Sequence, residues 1–204
     1  GFEKGWVERK LPFEKPEQSE DQQLVNQLAK IGVKPDEIDI VVNSHLHFDH
    51  CSNNKLFPQA TFIFSMSELR HAHVPDPWER LGYDPELVVM PGMKTVMLDL
   101  GDFEYEVLPG ITLVETPGHS AGHLSAIIDP GGDQRPMVFP FDVAYTEHNL
   151  KDRVLMGLHT DPADLLDSMM RIENIARKVG GDIFYSHDPE KFTGYKLAPD
   201  YYGE

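Results

Sequence analysis

Four side chains able to bind a metal stand within six consecutive positions, in the string His45-Leu46-His47-Phe48-Asp49-His50. Imidazole nitrogen and carboxylate oxygen are donors that a divalent ion such as zinc accepts. His45 and His47 alternate through Leu46, so an extended turn lets both face one ion. Asp49 and His50 lie just beyond and can face a second. His119, Asp142 and His187 recur singly further along. A carboxylate in a bridging role, open to Asp142, holds two ions at the short spacing used in two-metal hydrolysis. Water held by such ions has its pKa lowered to about 7 and becomes a strong nucleophile near neutrality. Tyr145, three positions past Asp142, brings a phenol that could reach a substrate oxygen; a structural tyrosine is the competing reading.

The positions of these residues relative to apolar runs predict how they are held. Residues 38–43, 60–65, 111–116, 124–129, 137–142 and 182–186 read as strands. His45, His119, Asp142 and His187 stand at or just past the ends of four of them, so strand ends deliver the donors to one rim. Ser19 and Gln22 form a capping box before Leu24, Val25, Leu28 and Ile31, with Gly32 closing that helix. Ser65 and Glu68 are expected to cap a short helix. Asp161 and Pro162 open the clearest helix, with Leu165, Leu166, Met169, Ile172, Ala176 and Val179 as its apolar stripe and Gly180-Gly181 as its end. Residues 1–18 read as irregular and 74–95, with four prolines, as a surface excursion. Strands alternate with helices, which gives a mixed α and β class.

Other candidates weigh less. His71 and His73, two apart on a short helix, face different ways and are expected to be solvated. His123, His148 and His159 read as structural or pocket-lining residues, and Cys51 as a small buried residue. Phe48, Trp6, Phe13 and Met156 are candidate pocket lining. The 204 residues suit one domain. With 18 basic and 34 acidic residues the net charge is −16, which repels phosphate backbones and argues against a nucleic-acid partner. One cysteine excludes an internal disulfide. No stretch approaches the roughly 20 apolar residues of a membrane helix, and residues 1–10 hold no apolar signal core. No membrane partner is expected, and the cytoplasm is the default location, although a secreted form with its signal removed would look the same.

At H-L-H-F-D-H (45–50), T-P-G-H-S-A-G-H (116–123), F-D-V-A-Y-T (141–146) and Y-S-H-D (185–188) the sequence resembles the metallo-β-lactamase superfamily. Within it the chain is most similar to the lactonases, both those that destroy N-acyl-homoserine quorum signals and the pyridoxolactonases. The resemblance extends over nearly the whole chain and implies an α/β fold, a four-layer αββα sandwich, with two divalent metals, zinc, at one edge. His45, His47 and His119 would hold the first ion, Asp49, His50 and His187 the second, and Asp142 would bridge. Tyr145 would polarise a lactone carbonyl, and Asp49 would pass a proton to the leaving alkoxide. Ser52-Asn53 departs from the glycine pair that often follows the string in lactonases. The family's N-terminal strands precede the segment matched here, so a single domain over 1–204, incomplete at its N-terminus, is expected.

The expected activity is opening of a small lactone ring, with an N-acyl-homoserine lactone as substrate and a homodimer open as the assembly. An aromatic lactone or a cyclic amide or carbamate such as pyridoxolactone is the alternative substrate. Rival classes are a mononuclear iron thiol or persulfide dioxygenase and a binding protein whose metals are structural.

Overall fold

The computed structural model describes residues 2–203; Gly1 and Glu204, the ends of the expected domain, lie outside the described residues. The described residues divide into two compact units, one built from residues up to 64 together with 69–98, the other from 65–68 and the residues from 99 onward.

The first unit opens on helix α1 (Lys4–Lys10), where the sequence predicted irregular chain. Its amphipathic signal is only two turns long and Glu3 gives no side-chain cap, so packing of Trp6, Val7 and Leu11 against Phe48 and Leu87 holds it. Ser19 and Gln22 do meet, Gln22 Oε1 accepting from the Ser19 amide at 2.9 Å. They close a separate 3-10 turn, and helix α2 (Leu24–Lys30) starts only after Gln23 turns extended. Strands β1 (Ile40–Val42) and β2 (Thr61–Ser65) pair in parallel, Ile40 opposite Thr61 and Val42 opposite Ile63. The short helix α3 (Phe48–Cys51) lies on the crossover between them. Helix α4 (Met66–His73) follows β2, then helix α5 (Pro85–Val88), and β3 (Lys94–Leu98) completes a sheet in the order β1-β2-β3. Residues 74–95 are only partly a surface excursion. Val74 and Trp78 are exposed, but Glu79, Tyr83, Asp84 and Val88 are buried, and Tyr83 and Val88 join Leu46, Phe62 and Phe64 in the core.

The second unit holds a five-stranded sheet in the order β4-β5-β6-β7-β8: β4 (Glu104–Leu108), β5 (Ile111–Glu115), β6 (Leu124–Ile128), β7 (Met137–Phe139) and β8 (Asp182–Ile183). Neighbours from β4 to β7 run antiparallel, and β8 runs parallel to β7. Both β5 and β7 therefore run opposite to β6, and the C-terminal ends of β5, β7 and β8 share one end of the sheet. Helices α6 (Glu147–Asp152), α7 (Pro162–Val179) and α8 (Pro189–Phe192) complete the unit. The Asp161 side chain accepts from the Ala163 and Asp164 amides, and Gly180 ends α7 in the left-handed conformation, as the sequence predicts. Leu165, Met169, Ile172 and Ala176 pack with Val138, Val143 and Tyr185 as the core. Met156 belongs to this core, and Phe13 is exposed. At the start of α4 the Ser65 hydroxyl accepts from the Ser67 amide at 3.2 Å, and the buried Glu68 carboxylate accepts from the Gly122 amide at 3.0 Å.

Candidate metal centre

In the first unit β1 runs through Asn43 and Ser44 into the histidine string. His45 and His47 are buried, their rings edge to face at 4.6 Å, and His50 lies 3.9 Å from His45. Asp49 and His50 sit on α3, with Oδ2 of Asp49 3.3 Å from Nε2 of His50. The Ser44 hydroxyl meets Nδ1 of both His45 (3.1 Å) and His50 (3.2 Å). It has one proton to give, so at least one of the two rings donates its own Nδ1–H to the oxygen. That ring, when neutral, carries its lone pair at Nε2. The four donors of the string thus gather within one unit, and one serine orients two of them.

His47 is shaped by residues that sequence reading missed. A Cβ on Gly82 would lie 2.7 Å from the His47 ring, so only glycine lets the chain pass there. The Gly82 carbonyl accepts from the Phe48 amide at 2.8 Å. Tyr83 lies against His47 at 4.6 Å. His71, expected to be solvated, is mostly buried; it pairs with buried Glu79 at 2.6 Å and packs on Tyr83. Trp6 stacks on Phe48 at 5.0 Å, and its indole donates to Asp84 at 2.9 Å. Burial opposes ionisation of Asp84, but the Glu86 amide, the Trp6 indole and the Lys10 ammonium outweigh it and hold the carboxyl below its ordinary value.

In the second unit the common end of β5, β7 and β8 presents His119, Asp142 and His187. Gly118 has φ +121°, and a Cβ there would fall 2.2 Å from the Leu165 amide nitrogen, so the His119 loop rides on the start of α7. Nδ1 of His119 lies 3.1 Å from the Leu158 carbonyl. A carbonyl only accepts, so Nδ1 carries the proton and the neutral ring presents a lone pair at Nε2. That Nε2 lies 3.4 Å from one oxygen of buried Asp142, and Nε2 of His187 lies 3.4 Å from the other. A charge-assisted N–H···O bond closes to about 2.7–2.9 Å, and both spacings are longer than that. Atoms bound to one tetrahedral ion at about 2.0–2.2 Å lie roughly 3.3–3.6 Å apart. The donor set around Asp142 fits a divalent cation on each side of its carboxylate. Tyr145 packs between the two imidazoles, 4.7 Å from the His187 ring and 6.0 Å from that of His119, and its carbonyl accepts from the His187 amide. Asp188, next to His187, caps α8 and accepts from the Glu147 amide.

The remaining candidates lie elsewhere. His123 is buried and hydrogen-bonded, as expected. His148 pairs with Asp152 at the surface, and Nδ1 of His159 meets the Met156 carbonyl. His73 is exposed. Cys51 is buried, with its thiol toward the Leu46 carbonyl.

Histidine and carboxylate donors at strand ends of an α/β fold with two sheets form a candidate metal centre. Residues 8–132 match the model of the metallo-beta-lactamase superfamily. N-acyl homoserine lactonase AttM of Agrobacterium fabrum is 31% identical over 190 residues, 92% of this chain and 72% of the relative. N-acyl homoserine lactonase AiiA of Bacillus thuringiensis subsp. kurstaki is 32% identical over 186 residues, 91% of this chain and 70% of the relative. A solved N-acyl homoserine lactone hydrolase, with the product N-hexanoyl-L-homoserine at its catalytic metal centre, superposes with TM-score 0.80 at 30% identity, covering 92% of this chain and 70% of that one. The chain belongs to the metallo-β-lactamase superfamily.

Proposed function

We propose that the chain is a zinc-dependent lactonase that opens N-acyl-homoserine lactones to the corresponding hydroxy acids. The observation that carries this reading is Asp142, whose two carboxylate oxygens each face a different imidazole Nε2 at 3.4 Å. The relatives named above, called lactonases, supply the substrate class. In this reading His45, His47 and His119 hold one ion and Asp49, His50 and His187 the other, with Asp142 between. Two divalent ions would supply Lewis-acid polarisation of the ester carbonyl and acidify water to near neutrality. Tyr145, beside His119 and His187, donates its phenol O–H to the carbonyl oxygen as negative charge builds there. Asp49 takes a proton released from the attacking water and returns it to the alkoxide leaving group. One lactone and one water give one hydroxy acid. Among the described residues no helix is long and apolar enough to cross a membrane. We place the enzyme in the cytoplasm, where a chain with one cysteine needs no oxidising environment.

The test is acid release by zinc-loaded protein from N-acyl-homoserine lactones of several chain lengths and from aromatic lactones, with metal content measured on the same sample. Turnover of the acyl-homoserine series with about two zinc per chain is expected. No hydrolysis of any cyclic ester would sink the reading.

A further inference from the structure

We propose that His123 is a positioning residue for Asp142, aiming the carboxylate through its peptide while touching no ion itself; this rests on the reading of Asp142 as the metal bridge. His123 is fully buried. Its Nε2 accepts the backbone N–H of Asp142 at 3.2 Å, which puts the neutral ring's own proton on Nδ1. Nδ1 lies 2.9 Å from Thr116 Oγ1, and Thr116 Oγ1 lies 2.7 Å from Ser125 Oγ. Ser125 in turn donates to the Pro140 carbonyl at 3.3 Å. A backbone N–H only donates and a carbonyl only accepts, so both ends fix the sense of the chain. It runs from Asp142 N–H through His123, Thr116 and Ser125 to Pro140 C=O.

Both ends of that chain lie on the same turn. Between them stands Phe141 at φ +47°, left-handed backbone that residues other than glycine seldom adopt. The Phe141 carbonyl accepts from the Ser186 hydroxyl at 3.4 Å. Side chains therefore bind both peptide groups that flank Phe141 in this strained turn, and the second of them leads into Asp142. The backbone of the same residue also closes the His119 loop. The Thr116 amide donates to the His123 carbonyl at 2.8 Å, so residues 116 and 123 clasp the loop from which His119 faces Asp142. A core histidine that only filled space would need neither nitrogen engaged in a fixed sense.

The experiment compares the parent with His123→Leu, His123→Gln and Thr116→Val. Zinc affinity is read by chelator competition, geometry by the visible bands of cobalt-substituted protein, and fold by melting of the metal-stripped chain. His123→Leu is expected to lose about 10–100-fold in affinity for at least one ion and to shift the cobalt bands. His123→Gln, whose amide oxygen can accept from the Asp142 N–H, should recover most of the affinity. Thr116→Val keeps the shape but removes the hydroxyl facing Nδ1, and should fall between them. A folded His123→Leu that binds two zinc as tightly as the parent, with unchanged bands, overturns the proposal. If that variant does not fold, parent-like affinity and bands in Thr116→Val overturn it instead. A parent that takes up fewer than two zinc overturns the bridging role itself, an outcome told apart by the parent's own stoichiometry.

Discussion

Asp142 is buried among imidazoles, an expensive place for a carboxylate unless cations repay its desolvation. Asparagine has the same shape and keeps the backbone N–H that His123 receives, but it turns one oxygen into a donor and removes the charge. Asp142→Asn should therefore lose at least one metal ion per chain and roughly 100-fold or more in kcat. The metal-stripped variant should melt no lower than the stripped parent, because a buried charge has gone. Metal analysis, kinetics and calorimetry on one preparation check this. A variant that is destabilised when stripped, with metal content retained, would mark Asp142 as structural. Tyr145 is separable by the same logic. Its ring packs partly buried on the core of the second unit, and phenylalanine preserves that packing. Tyr145→Phe should keep both ions while kcat falls about 10–100-fold, the effect of losing a donor to a developing oxyanion. Unchanged kcat would return Tyr145 to a packing role.

At the scale of elements, α1 and α5 are tied by one carboxylate. Asp84 caps α5, accepting from the Glu86 amide, and also receives the Trp6 indole while Lys10 lies 3.5 Å away. Its folded pKa lies below the ordinary 3.8. A depressed carboxylate pKa contributes stability that is present above the unfolded value and is lost as pH falls through the folded one. Asp84→Asn can turn its amide nitrogen toward the indole N–H, leaving a buried donor unsatisfied at a cost of about 1–3 kcal/mol near neutral pH. The gap in melting temperature between parent and variant should close as pH drops below 3.8. A gap that stays constant down to pH 2.5 would remove the charge from the account. These ties also explain what was legible in the sequence. Helix α7 is legible because Asp161, Pro162, the apolar stripe and Gly180 all act within it. The histidine string is legible because its donors are nearly consecutive. Helix α1 was missed because Phe48 and Leu87, which hold it, are remote in the chain. Gly82 and Ser44 were missed because they act on imidazoles through space, and no spacing rule marks them. His123 stood in view in the T-P-G-H-S-A-G-H run, but its partner Asp142 and the more distant links Ser125 and Pro140 lie outside that run.

For the molecule as a whole, alternating strands and helices were enough to give the α/β class. The β4 edge strand was not legible, because its outward Glu104 and Glu106 interrupt the apolar run that marks a buried strand; charged side chains of this kind guard a sheet edge. The same acidic surplus makes a prediction about turnover. At −16 the chain's field repels anions over a distance set by the Debye length, about 30 Å at 0.01 M salt and 8 Å at 0.15 M. An N-acyl-homoserine lactone is neutral, whereas its ring-opened product is a carboxylate. The field should therefore leave substrate entry alone and oppose product return. Raising salt from about 0.01 to 0.15 M should change KM by less than about twofold, while the product's inhibition constant falls severalfold as repulsion is screened. Initial-rate kinetics with added hydroxy acid at the two salt concentrations measure both quantities at once. A KM as salt-sensitive as the inhibition constant would mean that the whole-molecule charge does not distinguish neutral substrate from anionic product, and that charge close to the ions governs both.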